Sequence, residues 1–154
     1  MTRYEARDLT EIRATDIVVG VDGSPSSTSA LRWAVGQAKL AGGRVQAMTA
    51  WEYPTYCGWA GPVPYEDLAV STGKALDEAV HGVLGAATLD VDVLQSVVAG
   101  NPSQVLIDAS AHAALLVVGS RGHGAFAGAL LGSVSQHCVH HAHCPVVVVR
   151  GKHR

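Results

Sequence analysis

Short β-branched runs alternate with longer stretches of helical periodicity along most of the chain. Asp16–Val21 reads DIVVGV and stops at Asp22-Gly23-Ser24-Pro25, the pattern of a buried strand followed by a turn. Ser24 is a helix-capping residue and Pro25 suits the first helical position. Leu31, Ala34, Val35 and Ala38 then recur at helical spacing until Gly42-Gly43 ends the helix. A second strand, Val45–Trp51, leads into a Pro- and Gly-rich loop over 53–64. Leu76, Ala79, Val80, Val83 and Leu84 share one face of a helix expected from Tyr65 to about Ala87. A strand over Val91–Ala99 follows, then a capped helix from Asn101-Pro102 to about His112. Ala114–Val118 is apolar at every position, as in a strand covered on both faces. After a glycine-rich stretch, a helix begins near Ser133, and Val146–Val149 forms the last strand.

Strands alternating with helices through right-handed crossovers predict an α/β fold: one open, doubly wound, five-stranded parallel sheet, Rossmann-like, with helices on both faces. The expected strand order is 3-2-1-4-5, with residues 1–15 as an N-terminal tail, 16–150 as the domain and 151–154 as a C-terminal tail. In such sheets ligands enter at the carboxyl ends of the strands where the order reverses. Here that point is edged by Gly20–Ser24 and by Gly119–Ser133.

Composition narrows the function. Among 154 residues, 48% are hydrophobic and 16% charged, which excludes a disordered chain. With 11 basic and 13 acidic residues the net charge is −2, so no basic field exists to hold a nucleic acid. No apolar run is long enough to span a bilayer, and the polar N-terminus is unlike a signal sequence, so a cytoplasmic location and no membrane contact are expected. Three cysteines, Cys57, Cys138 and Cys144, give no disulfide framework.

Gly119, Gly122 and Gly124, then Gly132-Ser133-Val134-Ser135 at a helix start, have the composition of a phosphate cradle: glycines admit backbone amides close to an anion, and the helix N-terminus adds unpaired N–H groups. The same glycines also suit a tight turn and a cap. The spacing is neither the dinucleotide fingerprint nor a P-loop.

These residues resemble the universal stress protein family. Gly119, Gly122, Gly132 and Ser133 stand at the positions of its nucleotide signature: a glycine, two residues, a glycine, nine residues, then Gly-Ser. Ile17–Ser24, Gly100-Asn101-Pro102, Leu130–Ser135 and Cys144–Val149 are similar to other parts of the family, leaving the first fifteen or so residues and the 53–64 loop without counterpart. The resemblance implies an ATP-binding subgroup, with Mg2+ as a companion ion. It puts Asp22 by the ribose or the metal and Ala50 at the adenine. Gly119 and Gly122 fall along the ribose and α-phosphate, and Gly132, Ser133, Val134 and Ser135 on the outer phosphates. Gly20 and Gly100 allow close approach at neighbouring strand ends. Asp22 equally suits an Asx turn, and Arg121 and His123 suit either a phosphate contact or a solvated loop tip. The aromatic 53–64 loop suits a lid over the nucleotide or a cover for an apolar edge.

No catalytic constellation accompanies the cradle, so binding is expected rather than turnover, with weak ATP hydrolysis or self-phosphorylation at Ser133 or Ser135 as the outer limit. His137, Cys138, His140, His141, His143 and Cys144 crowd one helix end. On a helix, His137 and His141 stand one turn apart, as do His140 and Cys144. A solvated, dipole-favoured helix end is the simpler account, and no metal site is assigned. The valine strand 146–149 falls at a sheet edge, which pairing with a second copy would cover; the resemblance also implies a homodimer through it. The sequence-level expectation is a dimeric, ATP-responsive stress sensor or regulator with an unidentified protein partner. The alternative is an interaction module of the same fold that binds no nucleotide.

Overall fold

The computed structural model describes residues 9–52, 65–85, 90–122 and 131–151. The strands are β1 (Ile17–Gly20), β2 (Val45–Trp51), β3 (Val93–Ala99), β4 (Leu115–Gly119) and β5 (Val146–Val149). The helices are α1 (Pro25–Ala41), α2 (Tyr65–Leu84), α3 (Pro102–Ser110) and α4 (Ser133–His141). The sheet is parallel with the order β3-β2-β1-β4-β5, as the sequence pattern predicts.

Alternation explains why the central strands are apolar at every position. Neighbouring Val18 and Val19 of β1 point to opposite faces, and both are fully buried. Val19 and Val117 pack with Leu31 and Ala34 of α1 and Leu76 and Val80 of α2. Val18, Leu116 and Val118 pack with Val105 and Leu106 of α3 and Cys138 of α4. Each face of the sheet therefore carries its own core, and together they hold β1 and β4 side by side.

Element ends follow local chemistry. Ser24 Oγ accepts the Ser27 N–H at the start of α1, and Asn101 Oδ1 accepts the Gln104 N–H at the start of α3. Gly42, at φ +78°, closes α1 in the left-handed region and its N–H donates to Ala38 O. The second helix ends at Leu84, before the Ala87 expected from its periodicity. Gly85 takes φ +57°, and its N–H turns back to His81 O at 2.8 Å. Ordered structure also begins ahead of Asp16: Leu9–Glu11 make a turn of 3-10 helix, and Ile12 is buried in the α3/α4 core.

The amino ends of the strands are fastened by a buried carboxylate. Asp16, with no exposed surface, accepts the Arg13 N–H at 2.9 Å, Arg44 Nε at 3.0 Å and Nη2 at 2.7 Å, and Gln46 Nε2 at 3.1 Å. Burial pushes its pKa up, but these hydrogen bonds and the Arg44 charge outweigh burial and hold it below the ordinary carboxylate value. Among the described residues, no helix is long and apolar enough to cross a membrane.

Candidate functional site

The carboxyl ends of β1 and β4 border a crevice of about 340 Å3, within the range of small-ligand pockets. It lies at the reversal point: the chain leaves β1 towards β2 and β3, then crosses back to lay β4 on the other side of β1. Its walls differ in chemistry. Val21, Met48 and Ala50 from the β1 and β2 ends, with Pro102 and Leu106 of α3, make an apolar wall. Gly119, Arg121, Gly122, Gly132 and Ser133 make the opposite wall of backbone and polar groups. Asp22 is the one carboxylate and Arg121 the one cation lining it among the described residues.

The polar wall is built by close approach. At Gly119 a Cβ would lie 2.7 Å from Ser26 C and 2.8 Å from Ser27 N, so the end of β4 touches the first turn of α1 directly. Ser26 Oγ donates to Arg121 O, and Ser24 Oγ reaches the same carbonyl at 3.4 Å. At Gly122 a Cβ would lie 2.6 Å from Asp22 Oδ2, so the two turns meet across the crevice mouth. Asp22 Oδ1 also accepts the Ser24 N–H at 2.8 Å across Gly23, which takes φ +80°. The Asx turn and the position in the crevice therefore hold together for Asp22, whose residue is exposed.

The start of α4 differs from the starts of α1 and α3. Its N-cap is Gly132, which makes no side-chain cap bond, so the N–H groups of the first turn border the crevice without a capping side chain. Gly132 itself is held by its N–H to Ser120 O at 2.7 Å. Ser135, buried, has its hydroxyl against Ser120 O at 3.1 Å and Gly132 O at 3.0 Å. It braces the turn rather than aiming a donor at a ligand, whereas Ser133 is exposed at the mouth.

Gly20, Asp22, Ala50, Gly119, Arg121, Gly122, Gly132, Ser133, Val134 and Ser135 all line this one crevice. Gly100 does not. It follows β3, its N–H is given to Trp51 O at 2.8 Å, and its φ of +143° is the reason for a glycine there. His123 and the 53–64 loop lie outside the described residues. Val21, Ser24 and Leu131 line it within the two expected edges, whereas Ser27, Met48, Pro102, Leu106 and Val118 line it without having been singled out. Strand alternation carries the signal for Met48, two residues before Ala50 on the same face of β2. Leu106 is bound up with Gly20, where a Cβ would come within 2.8 Å of Leu106 Cδ1.

At the far end of α4 the helix stops at His141, since Ala142 turns to extended backbone at ψ 149°. His140 and Cys144 are therefore not one helical turn apart. Cys144 leaves the helix, and its Sγ approaches Pro145 O at 3.4 Å. Burial pushes the Cys138 thiol up to about 11. Among the described residues no group of three His, Cys, Asp or Glu side chains is placed to hold a metal ion.

Comparison with known proteins gives a consistent result. The family described as Usp, the universal stress protein family, matches residues 14–150. A universal stress protein of Mycobacterium tuberculosis (strain ATCC 25618 / H37Rv) is 36% identical over 140 residues, covering 87% of this chain and 43% of the relative. The chain thus spans less than half the length of that curated relative. Among solved structures, universal stress protein UspA from Lactobacillus plantarum matches with a TM-score of 0.76 at 24% identity, over 90% of this chain and 99% of that one. A universal stress protein solved in complex with cAMP matches with a TM-score of 0.63 at 25% identity, over 91% and 99% of the two chains.

Proposed function

The chain belongs to the universal stress protein family, and on that premise we propose that it binds an adenine nucleotide, ATP with Mg2+ foremost, and acts as a nucleotide-responsive regulator. The observation that carries this reading is the two-sided crevice. An apolar wall from β2 and α3 suits a flat base, and a wall of glycine backbone with the uncapped start of α4 suits phosphates. The similar protein solved with cAMP supports an adenine ligand.

Charge sorts the companions of the nucleotide. One guanidinium, Arg121, and the α4 dipole leave a triphosphate under-neutralised, and Asp22 stands at the same mouth. A divalent ion between Asp22 and the phosphates resolves both, and its contribution is charge neutralisation. The two close backbone meetings, at Gly119 and at Gly122, fit this cradle because a side chain at either position would fill it. Among the described residues Asp22 and Arg121 are the charged groups lining the crevice, and our reading is of binding.

For assembly, we propose a homodimer through β5. That strand is at the sheet edge, its four valines are half-buried, and a second copy related by two-fold symmetry would pair its free side. Light scattering at micromolar concentration should give twice the chain mass, and a monomer mass refutes it.

The nucleotide reading is tested by denaturing fresh protein, identifying any released nucleotide by chromatography, and titrating stripped protein with ATP with and without Mg2+. Released adenine nucleotide, or saturable binding lost in Ser133→Val and Gly122→Val, is the expected result. No nucleotide and no binding heat, in protein whose circular dichroism is intact, overturns it in favour of an interaction module without nucleotide.

A further inference from the structure

His137, His140, His141 and His143 fall outside the crevice, and two of them are arranged for chemistry of their own. His137 and His141 are both exposed on α4, with ring centroids 6.0 Å apart and ring planes 37° from each other. An ion held at about 2.0–2.1 Å by an imidazole nitrogen lies about 3.2 Å from the ring centroid, so two rings at a tetrahedral angle on one ion have centroids about 5.2 Å apart. The observed spacing is about 0.8 Å wider, a gap that rotation of the exposed His141 side chain closes while His137 keeps its place.

Tautomer is the second observation. His137 Nδ1 lies 3.1 Å from Ser133 O. A carbonyl oxygen can only accept, so Nδ1 carries the proton and donates it. In the neutral ring Nε2 is then the lone-pair nitrogen, facing away from that bond. Donation of the second ring nitrogen to a backbone carbonyl is the arrangement that fixes and orients metal-ligating histidines. His140 has no such hydrogen bond among the described contacts. Its ring stands 6.3 Å from that of His141, on the next residue along the helix.

We propose that His137 and His141 form a two-imidazole site for a divalent first-row ion of the nickel and zinc class, with water completing the coordination. Imidazole nitrogen suits these ions, and two histidines at i and i+4 on one helix face are a recurring pair of metal ligands. The lack of a third protein ligand among the described residues makes the site open and exchangeable rather than a closed structural site. The ion would clasp the last turn of α4, the helix whose first turn lines the crevice.

The test is calorimetric titration of the full chain with NiCl2, for the wild type, His137→Ala, His141→Ala, the double variant and His140→Ala. One ion per chain is expected. Each single substitution at 137 or 141 should weaken binding by roughly a hundredfold, since each removes the chelate. The double variant should lose the remaining single-imidazole binding as well, and His140→Ala should bind like the wild type. All these positions are exposed, so circular dichroism should be unchanged, and Ni2+ should raise the thermal midpoint only where both His137 and His141 remain. No saturable binding in the wild type, unaltered binding in His137→Ala, or loss in His140→Ala instead overturns the assignment.

Discussion

Gly119→Ala tests whether the end of β4 really touches α1, because the added methyl group has nowhere to go. Its Cβ would stand 2.5 Å from Ser26 Oγ, 2.7 Å from Ser26 C and 2.8 Å from Ser27 N. The serine hydroxyl can rotate, but the helix backbone cannot. Bringing the 2.7 Å approach back to an ordinary 3.4 Å parts the strand end from the first turn of α1 by about 0.7 Å. That movement works against the packing of Leu31 on Val117 in the same core. Overpacking of this kind costs about 1–3 kcal/mol. Loss of the Ser26 Oγ bond to Arg121 O adds about 1 kcal/mol. The sum, about 2–4 kcal/mol, lowers the thermal midpoint of a domain this size by about 5–15 °C. Gly122→Ala is the internal comparison. Its Cβ meets only Asp22 Oδ2, the free end of a side chain that can swing away, so the cost is about 1 kcal/mol for the lost Ser24 N–H bond. Urea unfolding followed by circular dichroism ranks the two. A Gly119→Ala unfolding free energy within about 0.5 kcal/mol of wild type, or above that of Gly122→Ala, refutes the close contact and with it the geometry of the cradle.

Asp16→Asn should cost about 3 kcal/mol at neutral pH, because it leaves the Arg44 guanidinium without its buried counter-charge. The folded pKa of Asp16 lies below its ordinary value of 3.8, so the stabilisation is fully present above pH 4. It is lost as the pH falls through the folded value, and the gap between wild type and Asp16→Asn should narrow below pH 4 in chemical unfolding; a gap constant from pH 7 to pH 3 refutes the ion pair. Cys138, buried and pushed up to about 11, should resist thiol reagents at pH 8 until the protein unfolds, whereas labelling at the rate of a free cysteine, mapped by mass spectrometry, contradicts its burial. Ser135→Ala should cost about 1 kcal/mol, since Ser120 O and Gly132 O keep the N–H bonds of Gly132 and Gln136. A loss above about 3 kcal/mol would show that the hydroxyl does more than brace the turn.

Legibility in the sequence follows the range of the interactions. The strand Ile17–Gly20 is readable because both its faces are buried and every residue reports it, and the starts of α1 and α3 are readable because Ser24 and Asn101 cap within three residues. The end of α2 is misjudged by an apolar periodicity that runs on to Ala87, while the backbone obeys Gly85. Gly100 reads like the cradle glycines, since composition does not distinguish a glycine needed for φ +143° from one needed to admit a ligand. The Asp16–Arg44–Gln46 network is unreadable for the opposite reason. Its members are 28 and 30 residues apart, and only the pairing of Val18 with Gln46 in the sheet register brings them together.

That network and the crevice lie at opposite ends of the same strands, which bears on how the fold accommodates a site. At the amino ends, Asp16 accepts four hydrogen bonds and locks β1 to β2. At the carboxyl ends, the starts of α1 and α3 are closed by their own side chains, through Ser24 and Asn101, and α4 begins at a glycine that cannot do so. Among the described helix starts, the one without a side-chain cap thus lies beside the glycines that let β4 and α1 meet. An anion placed there would complete the hydrogen bonding of α4, so binding should tighten the helix that carries His137 and His141 as well as the turn that grips the ligand. Titrating stripped protein with ATP while following amide exchange tests this: α4 should gain protection together with residues 119–122, and protection confined to the turn would separate the helix from the site.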